Sequence, residues 1–241
     1  MKDNTRPPLA CRGVNIAVSV LLGVAVFAFI ISFSIGLPII NRWFYYVQIG
    51  PLGLEEASGH TAAEIREAFD QIIDYLLLPG REFGAGVFRF SEEGAAHFAD
   101  CKFLFVLDVT VASASFGIIA IILVLHFTHV VKIGCAAGLS PAFWAAICAL
   151  VVPIVLGGLV ASDFDRAFEV FHAILFPGKD NWLFDPNTDE IIMVLPEEFF
   201  MNCAIFIGAG LVFFAAVTIA ADCIANRVKG NALRIKYERK Y

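Results

Sequence analysis

The chain has 241 residues, of which 59% are hydrophobic and 17% are charged, and its formal net charge at pH 7 is −6. With a mean hydropathy of +0.77, this composition excludes an ordinary soluble domain, in which about 25% of residues are charged, and indicates an integral membrane protein. The net charge by itself says little about nucleic acid, and we expect no nucleic-acid partner.

Four apolar segments are long enough to cross a bilayer as helices, which takes about 20 residues each. They cover roughly residues 14–40, 103–131, 141–161 and 203–225. The pattern predicts an all-α integral membrane protein with four transmembrane helices, organised as a single membrane domain over residues 1–241.

The charges between these segments predict their orientation, because Lys and Arg accumulate on the cytoplasmic side. The basic residues near the ends of the segments are Lys2, Arg6, Arg12, Lys132, Arg227, Lys229, Arg234, Lys236, Arg239 and Lys240. The connections 41–102 and 162–202 are long and rich in Asp and Glu. We therefore expect both termini in the cytoplasm and two outer loops at the cell membrane. Arg42, at the outer end of the first segment, opposes this orientation, and the C-terminal cluster outweighs it.

Both outer loops contain an amphipathic helical pattern. In the first, "HTAAEIREAFDQIIDYLLLPG", Thr61 and Glu64 form a capping-box pattern, and apolar residues follow at helical spacing until Pro79 and Gly80. In the second loop, apolar residues from Phe164 to Leu175 make a stripe that ends before Pro177-Gly178. We expect both loops to bear helices that lie on the membrane surface or on each other.

The stretch "FSEEGAAHFADCK" leads from the first outer loop into the second apolar segment. Ser91 is a good N-cap, and two glutamates follow in the first turn, so the helix should start near Ser91, above the bilayer. On this helix His97, Asp100 and Cys101 share one face because they are three and four residues apart.

Asp108 falls near the same line about three turns deeper. A carboxylate at that depth is costly and is expected to be functional or paired. Two interpretations stay open: a role in substrate binding, or a polar contact with Thr110, Ser113 or another helix.

His172 lies beside the phenylalanine stripe of the second loop, four residues after Phe168. Alone it could be an interfacial residue with a hydrated tip. However, His97 and His172 belong to the two loops on one side of the membrane, whereas His126 and His129 lie toward the cytoplasmic end of the second segment. We therefore take His97 and His172 as the candidate pair.

Several motifs together resemble one known family. "FSEEGAAHFADCK" before a span, then "FHAILFPGKDNWLFDP" and "LPEEFF" before the last span, resemble the lipoprotein intramolecular transacylase (Lit) family over nearly the whole chain. The resemblance implies an enzyme that moves the sn-2 acyl chain of a diacylglyceryl lipoprotein onto the amino group of its N-terminal cysteine, leaving a lyso form. It also implies that His97 and His172 are catalytic. Cys101 and Gly94 depart from the branched aliphatic and acidic residues that the family pattern leads us to expect.

The residue types fit this reaction. Acyl transfer from an ester to an amine needs a base for the ammonium proton, donors for the oxyanion and an acid for the departing alkoxide. We predict His97 as the base with Asp100 as its orienting partner, and His172 as the acid or electrostatic group. Asn181 and Trp182 are further candidates for the substrate pocket. Asp100 could instead pair with Lys102 or Arg89.

The substrate's own amine is the nucleophile in such a reaction, and no activated Ser or Cys is evident, so we expect no acyl-enzyme. We expect no cofactor and no metal, a monomer, and a diacylglyceryl lipoprotein and membrane lipid as partners. A histidine base also predicts a rate that rises through about pH 6 to 7.

Two other classes of function remain open. In a metal-dependent membrane hydrolase, His97, Asp100, His172 and Asp163 or Asp165 would bind a divalent ion, although no metal-site spacing supports this. Alternatively, the chain is a non-catalytic membrane protein whose apolar outer helices bind a lipid or a partner.

Overall fold

The computed structural model describes residues 9–238, and it describes side chains for residues 12–155, 157–158, 162–228 and 231. Part of the basic cluster used to predict orientation lies outside the described residues or side chains: Lys2, Arg6, Lys229, Arg234, Lys236, Arg239 and Lys240.

The described chain is helical. Its α-helices are α1 (Leu9–Ile40), α2 (Arg42–Tyr46), α3 (Leu54–Ser58), α4 (Ala62–Leu77), α5 (Glu92–Phe127), α6 (Pro141–Ser162), α7 (Phe164–Leu175) and α8 (Glu197–Glu238), with a 3-10 turn at Glu190–Met193. Over the same residues, the β-structure is an isolated bridge between Ala136 and Leu139. The prediction of an all-α fold is confirmed.

Three of the helices are long and apolar enough to cross a membrane. Their relevant segments are Arg12–Ile40, Glu92–Phe127 and Glu197–Val228. The corresponding described part of α6, Pro141–Val155, is apolar but shorter. The fourth transmembrane helix therefore stays a prediction.

Two of the long helices begin earlier than the predicted apolar segments. α5 starts at Glu92 and α8 at Glu197, and each has two glutamates in its first turn. Carboxylates are stabilised at the positive end of a helix dipole, so these polar turns extend the helix instead of ending it. The start of α5 near Ser91 was predicted from its capping residue and is confirmed, whereas the early start of α8 was not predicted.

The chain groups into two compact units. The first consists of the chain up to Ser32, Val111–Ile154 and the chain from Leu211 onward, and the second consists of Phe33–Thr110 and Val155–Gly210. The single membrane domain over residues 1–241 stays a prediction.

The predicted α4 helix forms the centre of the second unit. Thr61 caps it with a complete capping box to Glu64, as the sequence predicts. Its apolar face is buried in a cluster with Tyr45, Ile191 and other residues of the same unit. Tyr45 is fully buried, and its hydroxyl donates to the Val194 carbonyl over 2.6 Å. The face of α4 thus packs in a protein core, which stabilises the loop that precedes α5.

Arg42 is neutralised by α4. Its guanidinium donates to Asp70 over 2.8 Å and also binds Asp74. The two carboxylates compensate its charge locally, but the bias of Lys and Arg toward the cytoplasmic side does not depend on net charge, so Arg42 still opposes the predicted orientation.

Candidate active site

The start of α5 is joined to the second long loop by Asp189. Ser91 caps the helix as predicted, because its Oγ accepts from the Gly94 N–H over 2.9 Å. The Ser91 N–H and hydroxyl both donate to Asp189 Oδ1, over 2.8 and 2.9 Å. Asp189 is only 4% exposed, so these bonds fix the helix on which His97 lies, two turns from the cap.

Gly94 is required by this joint. A Cβ at position 94 would lie 2.3 Å from Asp189 Oδ1 and 3.0 Å from the Phe184 ring. The departure from the family pattern at this position therefore has a physical reason: the space of a side chain is taken by Asp189 from the other loop.

His97 is buried in an aromatic environment. It is 6% exposed, and its ring centroid lies 4.8 Å from that of Phe176 and 5.6 Å from that of Phe184. Its Nε2 is 3.4 Å from Cys101 Sγ. Its Nδ1 is buried without a hydrogen-bond partner in the described part of the chain.

The Cys101 contact favours one tautomer of His97. A neutral imidazole nitrogen is a better acceptor than a thiol sulfur, so the S–H donates to Nε2. The proton of the ring is then on Nδ1, a buried donor that makes no hydrogen bond of normal geometry in the described chain, although the Asn181 side chain interacts with the ring. Such a group costs about 1–3 kcal/mol until a partner arrives.

His172 is the second buried imidazole, on α7. Asp163 caps this helix by accepting from the Arg166 N–H over 3.0 Å. His172 is 7% exposed and stacks on Trp182, with the ring centroids 4.5 Å apart. Its Nδ1 is 2.8 Å from the Phe168 carbonyl oxygen. Because a carbonyl can only accept, Nδ1 carries the proton, and Nε2 of the neutral ring is an acceptor.

Burial also sets the protonation of His172. Desolvation lowers its pKa below the ordinary value, while the bond to Phe168 acts weakly in the opposite direction. At neutral pH this ring is therefore uncharged and has a free lone pair.

The structure brings His97 and His172 together although they are far apart in the sequence. Their ring centroids are 5.8 Å apart, with an angle of 35° between the ring planes. Phe176 contacts both rings, at 4.8 and 5.8 Å. One reacting group can thus be reached from both imidazoles in a site with aromatic walls.

Asp100 does not hydrogen-bond His97 in the described structure. Its carboxylate accepts from Lys179 Nζ over 2.6 Å and from Asn181 Nδ2 over 3.3 Å. An ion pair was one of the two alternatives for Asp100, but both partners named for it were wrong. Arg89 pairs with Glu190, and the Lys102 ammonium lies over the Tyr75 ring, 4.1 Å from its centroid.

Asn181 and Trp182 lie at the site, as expected of pocket residues. Trp182 stacks on His172 and donates from Nε1 to the Lys179 carbonyl over 3.1 Å. Asn181 Oδ1 is the second buried side-chain atom without a hydrogen-bond partner in the described chain. The Asn181 side chain also interacts with the His97 ring, so this acceptor and the His97 donor lie in one site.

Asp108 lies away from the histidines. Eleven residues separate it from His97 on α5, which corresponds to about 16 Å along the helix axis. Its carboxylate faces Gly36, where an added Cβ would be 3.7 Å from Oδ2. This position favours the interhelical contact over substrate binding.

Sequence reasoning missed Lys179, Asp189, Phe176 and Phe184. The first two act on residues 79 and 98 positions away, and no local spacing indicates such pairs. The sequence signal that could have indicated them is the stretch "FPGKDNWLFDP", which is rich in aromatic and charged residues and contains three of the four. In the described residues, no three His, Cys, Asp or Glu side chains converge as metal ligands, so the metal-hydrolase alternative gains no support from the geometry.

Comparison with known families decides the class of this protein. The family model described as "Lipoprotein intramolecular transacylase Lit" matches residues 20–200. The chain belongs to this family. It is therefore a membrane transacylase that acts on lipoproteins, and the predicted enzyme class is confirmed.

Solved structures agree in fold. The in meso structure of the Bacillus cereus lipoprotein intramolecular transacylase Lit matches with a TM-score of 0.78 and 23% identity, covering 95% of this chain and 100% of that one. Two further structures of that protein, with a histidine replaced by arginine or by alanine, match with TM-scores of 0.73 at 23% identity. They cover 93% of this chain and 96% and 97% of their own. No curated protein matches the chain.

Proposed function

We propose that the chain moves the sn-2 acyl chain of a diacylglyceryl lipoprotein onto the amino group of its N-terminal cysteine, with His97 and His172 as catalytic residues. The observation that carries this proposal is the pair of buried imidazoles with ring centroids 5.8 Å apart. A site that excludes water favours transfer to an amine over hydrolysis of the ester.

The tautomers favour the reverse of the roles predicted from the sequence. His172 Nε2 has a lone pair and is the group that accepts a proton from the attacking amine. In the tautomer favoured by the Cys101 contact, His97 Nδ1 carries the proton and makes no hydrogen bond of normal geometry, so it is the group that donates to the oxyanion. His172 as an acid would have to be protonated at the outset, which its burial opposes.

The reaction then balances within one substrate molecule. The amine nitrogen forms a bond to the ester carbonyl carbon, and the bond from that carbon to the glyceryl oxygen breaks. The amine proton passes to His172 Nε2 and from there to the departing oxygen, so no atoms are gained or lost. Holding both groups of one molecule in the site supplies most of the advantage through proximity.

Other polar groups of the site fit the same substrate. The unpartnered Asn181 Oδ1 is placed to accept from the amine or the first peptide N–H. The Asp100 pair with Lys179 and Asn181 holds that amide in position. Both are positioning and binding roles rather than proton transfer.

Histidine substitutions test this site. We expect His97→Ala and His172→Ala each to reduce the rate by about 10²-fold or more, as for loss of a general base or an oxyanion donor. His126→Ala and His129→Ala are the matched controls and should keep the wild-type rate in the same purified assay. Equal losses in the two pairs would contradict the assignment, provided that all four variants unfold at the wild-type temperature.

The proposed setting is a monomer in the cell membrane, in contact with membrane lipid. α6 is the fourth transmembrane helix, both termini are cytoplasmic, and the site faces the outside. The basic residues Arg12, Lys132 and Arg227, near the predicted inner ends of the long helices, support this orientation.

A further inference from the structure

A groove in the first unit is lined by residues other than those of the candidate active site. It runs along α1 beside α6 and the connection before α6, and its volume is about 730 Å³. Its walls are mainly apolar and include Val20, Val24 and Phe27 from α1 and Trp144 from α6. This volume is in the range of small-molecule sites, about 300–1,000 Å³.

Two hydrogen bonds join the connection before α6 to side chains of α1. Asn15 Oδ1 accepts from the Lys132 N–H over 2.9 Å, and Ser19 Oγ accepts from the Gly134 N–H over 2.8 Å. The two polar side chains of α1 thus fix the connection that forms the edge of the groove. A preformed site binds with a smaller ordering cost.

The charge at the groove has one sign. Arg12 and Lys132 line it and are exposed, and neither forms an ion pair with a described carboxylate. None of the described residues that line the groove is acidic. Two cations without an ion pair, beside an otherwise apolar groove, complement a molecule with an anionic head and a hydrocarbon tail.

We propose that this groove binds one anionic phospholipid of the surrounding membrane. An acyl chain lies along Val20, Val24 and Phe27, and the phosphate binds Arg12 and Lys132. The proposal goes beyond the transacylase reaction, because the lipid is a bound component and not the substrate.

Native mass spectrometry of the purified full chain tests the charge requirement. The protein is titrated with phosphatidylglycerol or with phosphatidylcholine of the same acyl chains. We expect tighter binding of phosphatidylglycerol, and a loss of about fivefold in its affinity for each of Arg12→Ala and Lys132→Ala. Phosphatidylcholine binding should not change. Arg227→Ala, an exposed basic residue of the same unit that does not line the groove, is the matched control and should bind like wild type.

A second pair of variants tests whether the lipid occupies the apolar part of the groove. Val20 and Leu21 are 61% and 46% exposed on α1, so replacing either leaves the core intact, but only Val20 lines the groove. Val20→Trp should abolish binding of phosphatidylglycerol, and Leu21→Trp should not. Equal affinity of the wild type for the two lipids, or equal binding by the two Trp variants, would overturn the proposal.

Discussion

The two site histidines differ in which ring nitrogen is left for the substrate. His172 uses Nδ1 to bind the Phe168 carbonyl, whereas His97 uses Nε2 in its contact with Cys101. Each ring therefore has one committed and one uncommitted nitrogen, and the uncommitted ones differ in protonation. In the proposed mechanism, this asymmetry provides a base and a donor from two identical residue types.

The pH dependence of the rate tests the base. Because burial lowers the pKa of His172, its neutral form persists below the ordinary histidine value of about 6.5. We expect the imidazole limb of the pH–rate profile to fall below pH 6.5, lower than the window of 6 to 7 predicted from the sequence. The substrate amine adds a separate limb at about 7.7–8.0, which a model lipopeptide titrated alone identifies. An imidazole limb at or above pH 6.5 would contradict the assignment.

The sequence singled out His97 and His172, whose catalytic role stays a prediction, but it did not indicate the residues that support them. The two histidines stand out because each is polar in an apolar context and both belong to the loops predicted to lie outside. Lys179 and Asp189 are ordinary surface residue types in sequence, and only the fold places them against Asp100 and Ser91. The ring tautomers also depend on neighbours that no spacing rule identifies.

At the level of elements, α5 is the part on which the site depends most. It carries His97 and Asp100, and its first turn is fixed by Ser91 and Asp189. A small displacement of this turn moves His97 relative to His172, and misplacement of about 1 Å can cost about 10²-fold in rate.

A glycine substitution at the start of α5 tests this dependence. Gly94→Ala places a Cβ 2.3 Å from Asp189 Oδ1, so Asp189 or the helix must move. We expect a lower unfolding temperature, from overpacking of about 1–3 kcal/mol, and a reduced rate. Gly117→Ala in the same helix has nothing within 4 Å of the added Cβ and should be neutral or slightly stabilising. Similar behaviour of the two variants, measured by thermal unfolding and turnover, would show that the joint does not constrain the site.

The loop helices show which features of a helix can be predicted from local sequence signals. The capping box of α4 and its apolar spacing are complete in the sequence and are confirmed. The burial partner was not predictable: the apolar face of α4 packs with residues such as Ile191 from the other loop, and periodicity reports an apolar face without its partner.

For the whole molecule, orientation is the property on which the proposed location of the site at the outer face depends. Composition and segment length predicted a helical membrane protein, because apolar length is a direct signal in sequence. They did not establish whether α6 crosses the membrane, because its described apolar part is shorter than a full span.

Cysteine labelling tests the orientation. In a variant without the natural cysteines, a membrane-impermeant thiol reagent should label Asp185→Cys from outside intact cells. It should label Val130→Cys, which lies in the connection between α5 and α6, only after the cells are opened. Position 130 is 69% exposed, so failure to label it from outside would reflect its side of the membrane. The reverse pattern would place both histidines on the cytoplasmic side.

Intramolecular transfer requires that the amine and the ester belong to one substrate molecule, and the mass of the product tests this requirement. Purified protein given a synthetic diacylglyceryl lipopeptide should yield a product of unchanged mass. Its fragmentation should place one acyl chain on the N-terminal nitrogen and leave one on the glyceryl group. Free fatty acid as the main product would instead show a hydrolase, and a gain of one acyl chain would show transfer from a separate lipid; either result would contradict intramolecular transfer.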